Sequence, residues 1–76
     1  MAITISYNKL WKLLIDRKMS RADLRRAADI SPNTLTRLSR DEEVSLSILK
    51  KICFCLQVNI GDICEFISEA DDKKQL

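Results

Sequence analysis

Two serines, Ser20 and Ser31, each open a helix signature within the stretch "SRADLRRAADISPNTLTRL", and together they confine this part of the chain to two short helices. Ser20 with Asp23 three residues on approximates a capping box, in which hydroxyl and acid take up backbone N–H groups that a first turn leaves unpaired. Ser31 stands before Pro32, and proline suits the first helical position, where its missing N–H has no partner to lose. Leu24, Ala27 and Ala28 supply the inner face of the first helix, which runs to about Ala28. Ile30, Leu35 and Leu38 pin the second, over about residues 32–39, to a core. Asp29 stands at the turn between them, and Asp tolerates the left-handed conformation better than most residues, though less well than Gly.

The rest of the chain follows the same pattern. One glycine and one proline in 76 residues leave little material for long turns, so helices joined by short links are expected. A helix from about Tyr7 to Lys18, with Ser6 as N-cap, carries Tyr7, Leu10, Trp11, Leu14 and Ile15 at three- and four-residue spacing. Trp11 falls on that stripe and reads as a core anchor. After the charged loop "DEEV", Ser45 caps a helix from about Leu46 to Gln57 with Leu49, Ile52, Cys53 and Leu56 inward; Phe54 lies off the stripe. Asn59 is expected to cap a fifth helix, "IGDICEFI", with Ile60, Ile63, Cys64 and Ile67 available for burial. "AITIS" alternates β-branched and polar residues and reads as an arm or short strand. The expected architecture is all-α: an extended arm over 1–6, a five-helix domain over 7–67 and a polar tail over 68–76.

Several function classes are disfavoured at this stage. The chain has no histidine and no glycine-rich phosphate loop, and its three cysteines, Cys53, Cys55 and Cys64, lie on apolar stripes, so neither an enzyme nor a metal site is expected. An odd cysteine count without a secretory signal argues against a disulfide framework. No apolar run approaches the roughly 20 residues of a membrane span, so a cytoplasmic protein is expected, with no membrane, cofactor or small-molecule partner. Charge is divided along the chain. Residues 1–40 hold nine Lys/Arg against three acids, or +6, whereas residues 41–76 hold four against eight, or −4. Such a division suits one face toward a polyanion and another turned away from it.

Two short helices joined by a tight turn have the organisation of a helix-turn-helix. On "YNKLWKLLIDRKMSRADLRRAADIS" and "SPNTLTRLSRDEEVSLSILKKICFCLQVNIGDI", nearly the whole chain resembles the lambda-repressor-like (Cro/CI, XRE) helix-turn-helix family, in particular its minimal bacterial and phage regulators. The resemblance implies a five-helix domain that binds double-stranded DNA as a transcriptional regulator, by family habit a repressor. It also implies that residues 32–39 form the recognition helix, the one that enters the major groove. Two positions depart from the family pattern: Arg25 stands where relatives often carry a small residue, and Asp29 where they usually carry glycine.

Position by position, the resemblance assigns base contacts to Asn33, Thr34, Thr36 and Arg37, because Pro32 has no polar group to offer where many relatives read a base. Asn can bond adenine, Thr can meet a thymine methyl and Arg can fork onto guanine. Phosphate contacts fall to Arg21, Ser31, Arg40 and Lys18. One domain meets about half a site, so a homodimer is expected, with Ile3, Ile5, Phe54 and Ile67 as candidate contacts. The alternative reading is a protein-interaction module, such as an antitoxin or phage regulatory partner, using Phe54 and the last helix.

Overall fold

Ser20, Ser31 and Ser45 each cap a helix in the computed structural model of the chain, which describes residues 3–68. Their hydroxyl oxygens accept from the amides of Asp23, Thr34 and Ile48 at 3.0, 3.1 and 3.2 Å. The elements are β1 (Ile3–Ser6), α1 (Asn8–Asp16), α2 (Arg21–Ala28), α3 (Pro32–Ser39), α4 (Leu46–Leu56), a single 3₁₀ turn (Ile60–Asp62) and β2 (Glu65–Ser68). The first two residues of the expected arm, and the expected tail beyond Ser68, lie outside the described residues.

The helices end by one device. Lys18, Asp29, Asp41 and Gln57 follow α1 to α4 and all take left-handed backbone, with φ of 58°, 57°, 57° and 58°. This conformation lets the next amides fold back onto the last carbonyls, as Met19 does to Leu14, Ile30 to Arg25, Glu42 to Arg37 and Val58 to Cys53. Glycine would adopt it without a Cβ clash, yet the one glycine, Gly61, sits in the 3₁₀ turn instead. Four side-chain-bearing residues therefore hold strained turns. One consequence is that α1 stops at Asp16 rather than Lys18. Another is that Ser6 is not its N-cap: Tyr7 occupies that place, and Ser6 lies buried with its oxygen accepting from the Asn8 amide at 3.3 Å.

The core gathers Tyr7, Leu10 and Leu14 of the first helical segment, Leu24 and Ala28 of α2, Ile30, Leu38 of α3, Leu49, Ile52 and Leu56 of α4, and Ile63 and Cys64. Each helix is so short that only a narrow line of residues faces inward, and a residue one step away swings by about 100°. Ile15 (73% exposed) beside Leu14, and Ala27 beside Ala28, thereby lose the inward places their spacing suggested. Trp11 is only half-buried.

The largest departure is at the end of the domain. No fifth helix forms: the capping pattern at Asn59 survives, with Asp62 accepting from the Asn59 amide at 3.0 Å, but it closes only one 3₁₀ turn. The chain then extends as β2 and pairs antiparallel with β1 in the register Ile3↔Ser68, Thr4↔Ile67, Ile5↔Phe66 and Ser6↔Glu65. Among the described residues the fold is four helices with a two-stranded sheet, mostly helical and not strictly all-α. The physical reason is non-local. β1 cannot satisfy its backbone groups alone, while a short helix interrupted by Gly61 is marginal, so β-branched and aromatic residues of the segment go to the strand that completes the pair.

Relief of one strained turn is measurable. Lys18→Gly is expected to stabilise the domain by about 0.5–1 kcal/mol, raising the melting temperature by roughly 2–8 °C in thermal denaturation without DNA.

Candidate nucleic-acid interface

α3 buries Leu38 completely and half-buries Thr34 and Leu35, which turns Asn33, Thr36, Arg37 and Arg40 outward along the opposite side. These four form an outward stripe, although its members differ in freedom. The Asn33 amide makes no side-chain hydrogen bond among the described residues. The Thr34 hydroxyl lies 2.9 Å from that of Ser31, so both are engaged at the helix start. The Thr36 hydroxyl donates to the Pro32 carbonyl at 3.1 Å, within its own helix. Arg37 reaches the loop after α3: its Nε lies 3.6 Å from a Glu42 carboxylate oxygen, and its Nη2 donates to the Glu43 carbonyl at 3.3 Å. Arg40 approaches the other oxygen of the same carboxylate at 3.9 Å. Both arginines are thus tied, loosely and in water, to one acid.

At the start of α2, Arg21 does more than present a charge. Its guanidinium stacks over the Trp11 ring at 3.8 Å and donates to Ser39 Oγ at 3.0 Å, linking α1, α2 and the end of α3. A stacked guanidinium of this kind is worth about 0.5–1 kcal/mol at an exposed site. It keeps the first turn of α2 at a fixed distance from α3. The capping box beside it is complete, because Asp23 also accepts from the Ser20 amide at 2.9 Å. The Ser20 amide and hydroxyl, followed by Arg26, hold the Asp23 carboxyl below its usual range, so the box carries its charge at neutral pH. Lys18 is exposed at its left-handed turn, and Arg25 is half-buried.

A second linkage holds the loop. Tyr7 is wholly buried, its amide donates to Asp41 Oδ1 at 3.1 Å, and its hydroxyl donates to the Glu42 carbonyl at 2.9 Å. An acid 34 residues away thus caps α1, a contact that no local sequence signal carries. Burial is the main cause of a raised Tyr7 pKa, with Cys64 and Asp41 adding to it.

The candidate dimer residues are not brought together. Ile3 and Ile5 share one face of the ribbon with Phe66, Ile67 lies on the other, and Phe54 (79% exposed) stands on α4. The last helix, on which the interaction-module alternative relied, is replaced by β2. Burial raises the pKa of Cys53 and Cys64, which keeps both as neutral thiols. No group of three metal-ligating residues occurs among the described residues, and no helix is long and apolar enough to cross a membrane.

The model of the Cro/C1-type helix-turn-helix DNA-binding domain matches residues 9–69. The chain belongs to that family. Its resemblance extends to a solved structure, that of the transcriptional regulator VanUg, with 46% identity, a TM-score of 0.87, and 91% of this chain and 92% of that one covered. No curated protein matches the chain. In this Cro/C1-type domain α2 and α3 are the two helices of the motif, and the matched residues include α4, the 3₁₀ turn and all of α1 but its first residue, which brace them.

Tyr7→Phe removes the bond to the Glu42 carbonyl and is expected to destabilise the Cro/C1-type domain by about 1 kcal/mol. A raised folded pKa means that the tyrosine's contribution is fully present below about pH 10 and is lost as pH rises through the folded value. Chemical denaturation across pH 8–12 is therefore expected to show the gap between wild type and Tyr7→Phe narrowing above pH 10.

Proposed function

We propose that this Cro/C1-type domain is a sequence-specific, double-stranded-DNA-binding transcriptional regulator that reads the major groove with α3 and represses by occupying an operator. The observation that carries this reading is the outward polar stripe of α3, with Asn33, Thr36, Arg37 and Arg40 exposed on a helix whose other side is anchored by Leu38. The relative VanUg is a transcriptional regulator, and its identity over most of this chain supports the same role here.

Base reading falls to Asn33 and Arg37 first. Thr36, whose hydroxyl is held by the Pro32 carbonyl, offers its methyl to thymine, and Thr34 flanks the helix start. Arg21, Ser31, Arg40 and Lys18 hold phosphates, with Arg21 aided by the partial positive charge at the start of α2. The protein works in the cytoplasm with DNA as its ligand, and no catalytic step or cofactor is assigned to it. A full operator takes two copies related by a two-fold axis. The ribbon is the surface assigned to the second copy: Ile3 is 65% exposed, Phe66 78%, and among the described residues each strand is paired on one edge, leaving the other for an identical ribbon to extend.

Binding to genomic fragments, its own promoter included, tests the reading. Arg37→Ala is expected to relax sequence preference at one base pair, by about 1–3 kcal/mol. Arg21→Ala is expected to weaken all duplexes alike and to flatten the slope of log K against log salt by about 0.9. Equal affinity and preference for wild type and Arg37→Ala would remove α3 as the reading element. Sedimentation in the presence of operator DNA is expected to show two copies per site, and one copy with Phe66→Ser.

A further inference from the structure

The stretch Asp41-Glu42-Glu43 places three acids directly behind the helix proposed to enter DNA, where negative charge opposes binding. Glu42 is held there from both sides. Its amide donates to the Arg37 carbonyl at 2.9 Å, and its carbonyl accepts the buried Tyr7 hydroxyl at 2.9 Å. With its backbone pinned in this way, its carboxylate sits between Arg37 and Arg40, at 3.6 and 3.9 Å. Together with the Glu43 carbonyl it occupies the Nε and Nη2 groups of Arg37, one of the edges with which a guanidinium forks onto guanine or phosphate.

We propose that Glu42 is an internal competitor for DNA: an anion standing in for a phosphate, whose hold on Arg37 and Arg40 is given up on binding and so weakens every duplex that takes those arginines. This rests on the DNA-reading role of α3 proposed above. Both arginines must leave Glu42 before either takes a full contact with DNA. A random duplex replaces one anion by another and gains little. The right sequence adds a forked guanine contact, worth about fivefold or more in affinity, which outweighs the lost pairing. Exposed ion pairs are individually weak, so the gate is modest, about two- to fivefold for each arginine.

The test compares wild type, Glu42→Gln and Glu65→Gln by anisotropy titration on a random-sequence duplex and on a duplex enriched from a random pool by the wild type. Glu65 makes the same charge change on β2, where its partner is Lys9 at 3.9 Å. Glu42→Gln is expected to tighten binding to the enriched duplex about three- to tenfold, to tighten the random duplex by no more than that, and to steepen the salt slope on the random duplex by up to about 1.8. Glu65→Gln is expected to change each by less than twofold. In an Arg37→Ala/Arg40→Ala background the gain from Glu42→Gln is expected to vanish. No gain on the enriched duplex, an equal gain from Glu65→Gln, or a gain that persists without the arginines would overturn the gate and leave the DNA reading standing. Failure of the wild type to bind any duplex at low salt would overturn both.

Discussion

The buried Tyr7 joins the two ends of the functional architecture. Its amide and hydroxyl both go to the loop after α3, so the start of α1 and the exit of α3 are one hydrogen-bonded unit. Desolvating a phenol and an amide is unfavourable unless both find partners, and Asp41 and the Glu42 carbonyl are those partners. Once they are in place, the loop cannot drift, α3 ends where it does, and the Glu42 carboxylate has a defined position beside Arg37 and Arg40. Asp41 takes left-handed backbone at the same point, so one residue both turns the chain and caps a distant helix.

Around this node the fold uses short elements and strained joints. Four helices of eight to eleven residues are each too short to be stable alone, and their stability comes from the shared core of Leu10, Leu14, Leu24, Leu38, Ile52 and Leu56. The left-handed turns at Lys18, Asp29, Asp41 and Gln57 reverse the chain in very few residues, which is what keeps α2 and α3 adjacent. Arg21, stacked on Trp11 and bonded to Ser39, braces the same pair from outside. A residue placed in contact with phosphate by analogy is therefore also a strut of the motif.

The electrostatics of the face follow from position rather than from net charge. Arg21, Arg25, Arg26 and Arg37 on α2 and α3 face only one acid on those helices, Asp23, yet the first acids of the negative half fold back beside α3. Attraction to a polyanion and restraint on the arginines are built within a few residues of each other.

What the sequence by itself determined is what short-range chemistry sets: the caps at Ser20, Ser31 and Ser45, the turn at Asp29, the inward Leu38, the outward Asn33 and Arg37, and with them the helix-turn-helix and its family. Local hydrogen bonds and i, i+4 spacing are written in neighbouring residues and can be read there. Pairing of β1 with residues 65–68, the cap that Asp41 gives to α1, and the hold of Glu42 on Arg37 were decided only by the tertiary structure. Residues 60–67 carry helix-like apolar spacing and a capping acid, and still the segment is mostly strand, because the unpaired backbone of β1 lies beside it in space. Partners more than thirty residues apart leave no periodic trace in a chain, so such contacts exist only once the core has brought them together.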